Sequence, residues 1–276
     1  MKMKKFTEIL GISMLVVLLS AGSVFAFGTE ITIYDENGTQ GIGTASEDNE
    51  AEPGMVQSQA WDLEAFFLDD NNALTMIGGY DFVNGKSNLY SGDVFIDVDG
   101  DAVFGDIHDW TTAGNDTVAN TFGYDYVLDM DFDGKTYDVY QLDADSRTIT
   151  SYYGQNQGSN PWRYADGGTL LAENVAFGYD NMTDEETGFS GWGTDSHNVV
   201  SGLDLNFLAS DIPLEFTVHF TMECGNDNLM GEGTLAAVTP GGGGGSAEAP
   251  EPATMFLLGA GLVGLAAFRK RFVRKA

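Results

Sequence analysis

Glu215-Phe216-Thr217-Val218-His219-Phe220-Thr221-Met222 is the stretch on which the fold turns. Phe216, Val218, Phe220 and Met222 recur at every second position, with polar residues between them. A β-strand points successive side chains to opposite faces, so a period of two puts these four apolar groups on one face. Gly225-Asn226-Asp227-Asn228 follows, and residues 229–238 form the next such run. That is the pattern of two antiparallel strands joined by a short turn. His219 lies opposite Phe216 and Val218, and is expected to be a partly exposed strand residue.

Outward from this pair, strand patterns recur over residues 30–34, 60–68, 73–82, 90–98, 101–107, 121–132, 135–142, 173–180 and 201–209. Helical periodicity is nearly absent between residues 27 and 240. Asp99-Gly100 separates residues 94–98 from 102–107, and Asp133-Gly134 separates 126–132 from 135–142. Asp-Gly suits the positive backbone angles of tight hairpin turns. Short strands with one apolar face must bury it against a second sheet. The expected fold class is therefore all-β, an antiparallel β-sandwich of jelly-roll-like form. Residues 27–59 read as a polar lead-in with one strand, and residues 60–240 as one sandwich domain. Residues 143–172 and 181–200 read as long loops, the usual seat of function on a β scaffold.

The chain has 276 residues, with 12 Lys+Arg against 42 Asp+Glu and a net charge of −30. Residues 1–26 carry a net +2 and residues 247–276 a net +3, which leaves −35 for the body between them. That body repels phosphate backbones and shows no basic stripe, so nucleic-acid binding is excluded. With 43% hydrophobic residues there is material for a core, which excludes a disordered acidic tail. A single cysteine, Cys224, excludes an internal disulfide and a Cys-based zinc site. No basic neighbour in sequence activates it, so it reads as a small buried side chain at a strand end.

The two ends carry the export signals. Lys2, Lys4 and Lys5 precede an apolar run at residues 9–19, and Val24-Phe25-Ala26 supplies a signal-peptidase site after Ala26. Residues 1–26 thus read as a helical signal peptide that delivers the body outside the cytoplasm, with an N-terminal membrane anchor as the alternative. At the other end, residues 241–249 are a Gly-rich linker. Pro250-Glu251-Pro252, an apolar run at residues 253–268 and a basic cluster at residues 269–275 follow in order. Sixteen apolar residues give a helix of about 24 Å, a marginal span of a bilayer core of about 30 Å. The basic cluster would stay in the cytoplasm by the positive-inside rule.

Residues 250–276 resemble the PEP-CTERM sorting tail of Gram-negative bacteria. The resemblance rests on Pro250-Glu251-Pro252-Ala253-Thr254, the Gly-rich apolar run at residues 256–265, and the terminal Arg/Lys cluster. It implies a membrane-embedded exosortase as partner, with cleavage near Pro250, Glu251 and Pro252. It also implies transient anchoring by a C-terminal transmembrane helix, then release to the cell surface or extracellular matrix. Three stretches of the body are similar to ones that recur in exosortase-dependent surface proteins: Trp61-Asp62-Leu63-Glu64-Ala65, residues 90–97, and residues 221–227. They imply a β-rich surface domain and supply no catalytic residue.

Two acidic runs carry candidate chemistry. Asp97, Asp99 and Asp101 span a turn, where carboxylates can converge on one calcium ion, with a solvated hairpin as the alternative. Asp129, Asp131 and Asp133 fit the first half of a D-x-D-x-D-G loop, but a hairpin accounts for each of them, and the twelfth position is Tyr140. No cofactor is required, and calcium is the ion these groups would take. Trp162 and Trp192 are the aromatic candidates for stacking on exopolysaccharide, with burial beneath the loops as the alternative. His108, His197 and His219 form no sequence motif, and no G-x-S-x-G nucleophile motif is present. The expectation is a non-enzymatic structural or adhesive surface protein. A secreted hydrolase acting on matrix polysaccharide is the alternative.

Overall fold

The computed structural model describes residues 27–33, 47–49, 51, 55–102, 114–153 and 159–237. The leader with Ala26, the tail with Pro250, Glu251 and Pro252, His108, and most of the strand expected at 101–107 lie outside the described residues. Among the described residues the strands form three antiparallel sheets. The first has five strands in the order β1 (Thr29–Glu30), β3 (Leu63–Leu68), β4 (Ala73–Gly78), β13 (His197–Asp204) and β12 (Gly178–Met182). The second has seven: β11 (Thr169–Ala176), β8 (Thr136–Gln141), β7 (Tyr126–Asp131), β5 (Val94–Asp97), β14 (Leu214–Thr221), β15 (Asn228–Leu235) and β2 (Thr32–Ile33). The third is small: β10 (Arg163–Asp166), β9 (Arg147–Ile149) and β6 (Thr117–Ala119). An α-helical turn, α1 (Asp184–Thr187), is closed by a Thr183–Glu186 capping box.

The five- and seven-stranded sheets enclose the main core, as a sandwich requires. Phe66, Leu74, Met76 and Val200 from the first sheet meet Val94, Ile96, Leu128, Phe216, Val218 and Phe220 from the second. The Phe216-Val218-Phe220-Met222 face points inward as its alternation predicts. The β14–β15 and β7–β8 hairpins form, with Thr221 opposite Asn228 and Asp131 opposite Thr136. In the second turn the left-handed residue is Lys135, at φ 54°, and not Gly134. The Asp99-Gly100 turn behaves differently. Both edges of β5 are taken, by β14 and by β7, so this turn leads the chain out of the sheet and forms no hairpin with β5.

The third sheet corrects two expectations. Residues 143–172 are not simply loop, because β9 and β10 lie there and pack, with β6, on the outer face of the seven-stranded sheet. Phe95, Val127, Tyr124 and Leu142 form a second core in that layer, joined by Val118 and Tyr164. His219 therefore faces protein instead of solvent and is fully buried. Its Nε2 donates to the Pro161 carbonyl at 3.0 Å, and its ring stacks on Tyr124 with centroids 5.6 Å apart. A third cluster of Ala65, Phe67, Ile77 and Val199 covers the outer face of the five-stranded sheet, with Phe189 packed against it.

Candidate functional site

The sharpest convergence of carboxylates lies where β5 ends. Asp97 is buried, and the turn winds around its carboxylate. The main-chain N–H groups of Asp99 and Gly100 donate to Asp97 Oδ1, each at 3.0 Å, and that of Ala102 to Oδ2 at 3.3 Å. Gly100 sits at φ +81°, a conformation that a side chain disfavours. From the start of β7, Asp125 Oδ2 accepts from Val98 N–H at 2.8 Å. Asp97, Asp99 and Asp125 each place an oxygen within 4.8 Å of the other two. The structure thus brings together Asp97 and Asp99 of the expected trio and adds Asp125. Asp101 stands beside them, exposed. The Asp99 charge is the largest influence raising its pKa. Asp125 is raised first by burial and then, against its Val98 hydrogen bond, by the charges of Asp99, Asp97 and Asp101.

This arrangement suits a hard divalent cation. Calcium takes oxygen ligands at about 2.3–2.6 Å, so opposite ligands lie roughly 5 Å apart. Three carboxylate oxygens within 4.8 Å match that size. Each carboxylate oxygen has two lone pairs, so those already accepting a main-chain N–H can still take a cation.

A second cluster joins β3 to α1. Glu64 and His197 are both buried, and His197 Nδ1 lies 2.7 and 2.8 Å from the two Glu64 oxygens. His197 Nε2 reaches Asp184 Oδ1 at 2.8 Å, and Gln59 Nε2 donates to Glu64 Oε1 at 2.6 Å. Burial opposes the imidazolium, but Glu64 and then Asp184 outweigh it and push His197 up to about 9. Glu64 is itself raised by burial, with the His197 hydrogen bond working the other way. Both ring nitrogens are engaged, so the imidazole has no free lone pair to serve as a general base. Asp48, Asp62 and Glu64 also approach within 4.8 Å of one another.

Asp93 is a third buried acid. It accepts from Met130 N–H at 2.9 Å and Tyr164 N–H at 2.7 Å, which ties the small sheet to the central one. Burial, then the Asp129 charge, raises it to about 7, with Arg163 opposing. Arg163 Nε lies 3.8 Å from Asp93, and its guanidinium sits 5.6 Å over the Trp162 ring. Trp162 is buried, which agrees with the alternative of burial beneath the loops and leaves its ring little face for a sugar. Trp192 is partly buried, and its main-chain N–H donates to Gln59 Oε1 at 2.8 Å. Cys224 is buried, and burial raises its thiol to about 11.

After the described residues, the sequence continues with Pro250-Glu251-Pro252, the apolar segment and the basic cluster. Residues 248–271 match the PEP-CTERM protein-sorting motif. The motif implies an exported, exosortase-processed protein with a C-terminal membrane anchor. No curated protein and no solved structure matches the chain.

The PEP-CTERM motif was legible because its three parts are contiguous. The body's clusters were not. Asp125 stands 27 residues from Val98, and His197 stands 133 residues from Glu64, so only strand pairing brings them together. Three exposed tyrosines, Tyr90, Tyr152 and Tyr153, were also missed. Tyr90 opens the strand pattern at residues 90–98, Tyr152 and Tyr153 fall in the loop expected at 143–172, and nothing local marks them as exposed.

Proposed function

We propose that the chain is a non-enzymatic surface or matrix protein, exported, processed by exosortase, and used structurally or adhesively outside the cell. The PEP-CTERM motif behind an acidic β-sandwich is the observation that carries this reading. The Asp97–Asp99–Asp125 cluster supports a calcium-dependent version of it. Calcium there would hold the turn after β5 against the start of β7, and would relieve repulsion in a chain of net charge −30. The buried acids and His197 support a structural role, since their polar atoms are engaged in holding sheets together. Exopolysaccharide is the partner this location favours. Signal peptidase would remove the leader after Ala26.

The test is fractionation of a Gram-negative host that carries an exosortase. Wild-type chain should appear shortened in the surface or matrix fraction. Replacing Pro250, Glu251 and Pro252 by alanine should leave full-length chain in the membrane fraction. Wild-type chain that stays full length beside an active exosortase would overturn the proposal. The hydrolase reading is favoured by one feature, the Asp131 and Asp133 carboxylates that line a surface groove with Arg163. Cleavage of matrix polymer, abolished by Asp131→Asn or Asp133→Asn, would establish it in place of the adhesive one.

A further inference from the structure

Large apolar side chains are exposed at seven positions among the described residues, and three of them are tyrosines gathered at one turn. Glu223, just after β14, joins two of them. Its N–H donates to the Tyr90 carbonyl at 2.8 Å, and its Oε2 accepts from Tyr90 N–H at 3.0 Å. Its carbonyl accepts from Tyr152 N–H at 2.7 Å. Tyr90 and Tyr152 are thus each one backbone hydrogen bond away from Glu223. Tyr153 packs edge-on against Tyr152, with ring centroids 4.9 Å apart.

Tyr90 also lines an open groove of about 210 Å³, together with Ser91, Phe132, Asp131, Asp133 and Arg163. Arg163 is held in place there, with Asp93 at 3.8 Å on one side and the Trp162 ring at 5.6 Å on the other. The groove is smaller than the roughly 300–1,000 Å³ of pockets that engulf drug-sized ligands. It would seat one ring of a ligand while the rest lies across the neighbouring tyrosines.

We infer that this Tyr90 groove, continued by Tyr152 and Tyr153, binds a neutral polysaccharide. A sugar ring has a face of C–H bonds and an edge of hydroxyls. The C–H face suits the negative π-face of a tyrosine. The hydroxyls suit the Asp131 and Asp133 acceptors and the fixed Arg163 donor fork. A polyanionic glycan or an anionic membrane is disfavoured by a chain of net charge −30, with two carboxylates at the groove against one guanidinium. A protein partner fits less well, because interface centres are depleted of Asp, whereas Asp131 and Asp133 line the groove beside Tyr90. Single contacts of this kind are weak, and a repeating polymer supplies avidity by engaging many molecules at once. The inference rests on the adhesive reading above and names its ligand class and site.

The test is affinity electrophoresis of the full chain in a sugar-free polyoxyethylene detergent. Gels would contain dextran, amylose, hydroxyethylcellulose or galactomannan. At least one neutral polymer should retard the protein, and retardation should survive about 0.5 M salt, where screening is strong. Tyr90→Ala and Tyr152→Ala should each weaken it about tenfold, equivalent to about 1.4 kcal/mol. Leu170→Ala, at an exposed leucine on β11, should leave it unchanged. Both tyrosines are exposed, so thermal melts of the variants should match the wild type. Retardation by a neutral polymer that both tyrosine variants retain would overturn the site. Binding only to polylysine, lost in salt, would assign the groove to a cationic partner and overturn the ligand. No retardation by any polymer, with the chain still in the matrix fraction, would overturn this inference and leave the adhesive reading standing. Loss of matrix association as well would overturn both.

Discussion

His197 shows how one residue sets the chemistry of its surroundings. With Glu64 on one nitrogen and Asp184 on the other, it neutralises a carboxylate buried in β3 and ties the α1 turn to the five-stranded sheet. Removing one partner of a buried ion pair costs about 3–5 kcal/mol, because the other charge is left uncompensated. His197→Gln should fall at the lower end of that range, since an amide can still donate one hydrogen bond. Asp184→Asn should cost less, because Asp184 is partly open to solvent. Denaturant unfolding of both variants measures the difference, and equal losses would contradict the assignment. Gly123 is a second position with one answer. It sits at φ +83°, and a Cβ there would lie 2.6 Å from Asp101 oxygens. Gly123→Ala should therefore displace the turn at residues 97–101 and weaken any cation bound there, measured by calcium titration.

Among the elements, β14 and β15 are the pair in which sequence and packing agree most closely. Phe216 can point into the core because Gly233 faces it, and a Cβ at 233 would lie 2.8 Å from the Phe216 ring. Gly233→Val should overpack this site and cost about 1–3 kcal/mol, seen as a lower midpoint in denaturant. Phe220→Ala, which opens a cavity instead, should cost about 3–5 kcal/mol. The long strands were legible because each has one apolar face and a clear period. The small sheet was not. β9 and β10 are only three and four residues long, and the buried side chains around them include Ser146, Thr148, Thr150 and Ser151. A polar residue that becomes buried by packing on a third layer leaves no hydrophobic pattern. The same layer explains why His219 looked exposed: its strand has two buried faces, and alternation reveals only the more apolar one.

For the whole molecule, the acids set the response to pH. Burial raises Asp93 to about 7, and also raises Glu64, Asp125 and Asp129. His197 is held up at about 9. A group whose folded pKa is raised stabilises the fold below its unfolded pKa and loses that contribution as pH rises through the folded value. The body should therefore gain stability as pH falls from about 9 towards about 5. Below the ordinary carboxylate range it should lose it again, because Asp81, Asp166, Asp184 and Glu186 are held low by their hydrogen bonds. A melting temperature higher at about pH 8.5 than at about pH 5.5 would contradict this. The most direct test of the calcium-dependent surface module is thermal unfolding of the chain in EDTA and then across a calcium titration. The account predicts a saturable rise of about 5–10 °C at a hundredfold excess over Kd. The rise should be abolished by Asp97→Asn or Asp125→Asn and should not be reproduced by monovalent salt. A melting temperature indifferent to calcium, or raised equally by sodium, would contradict it.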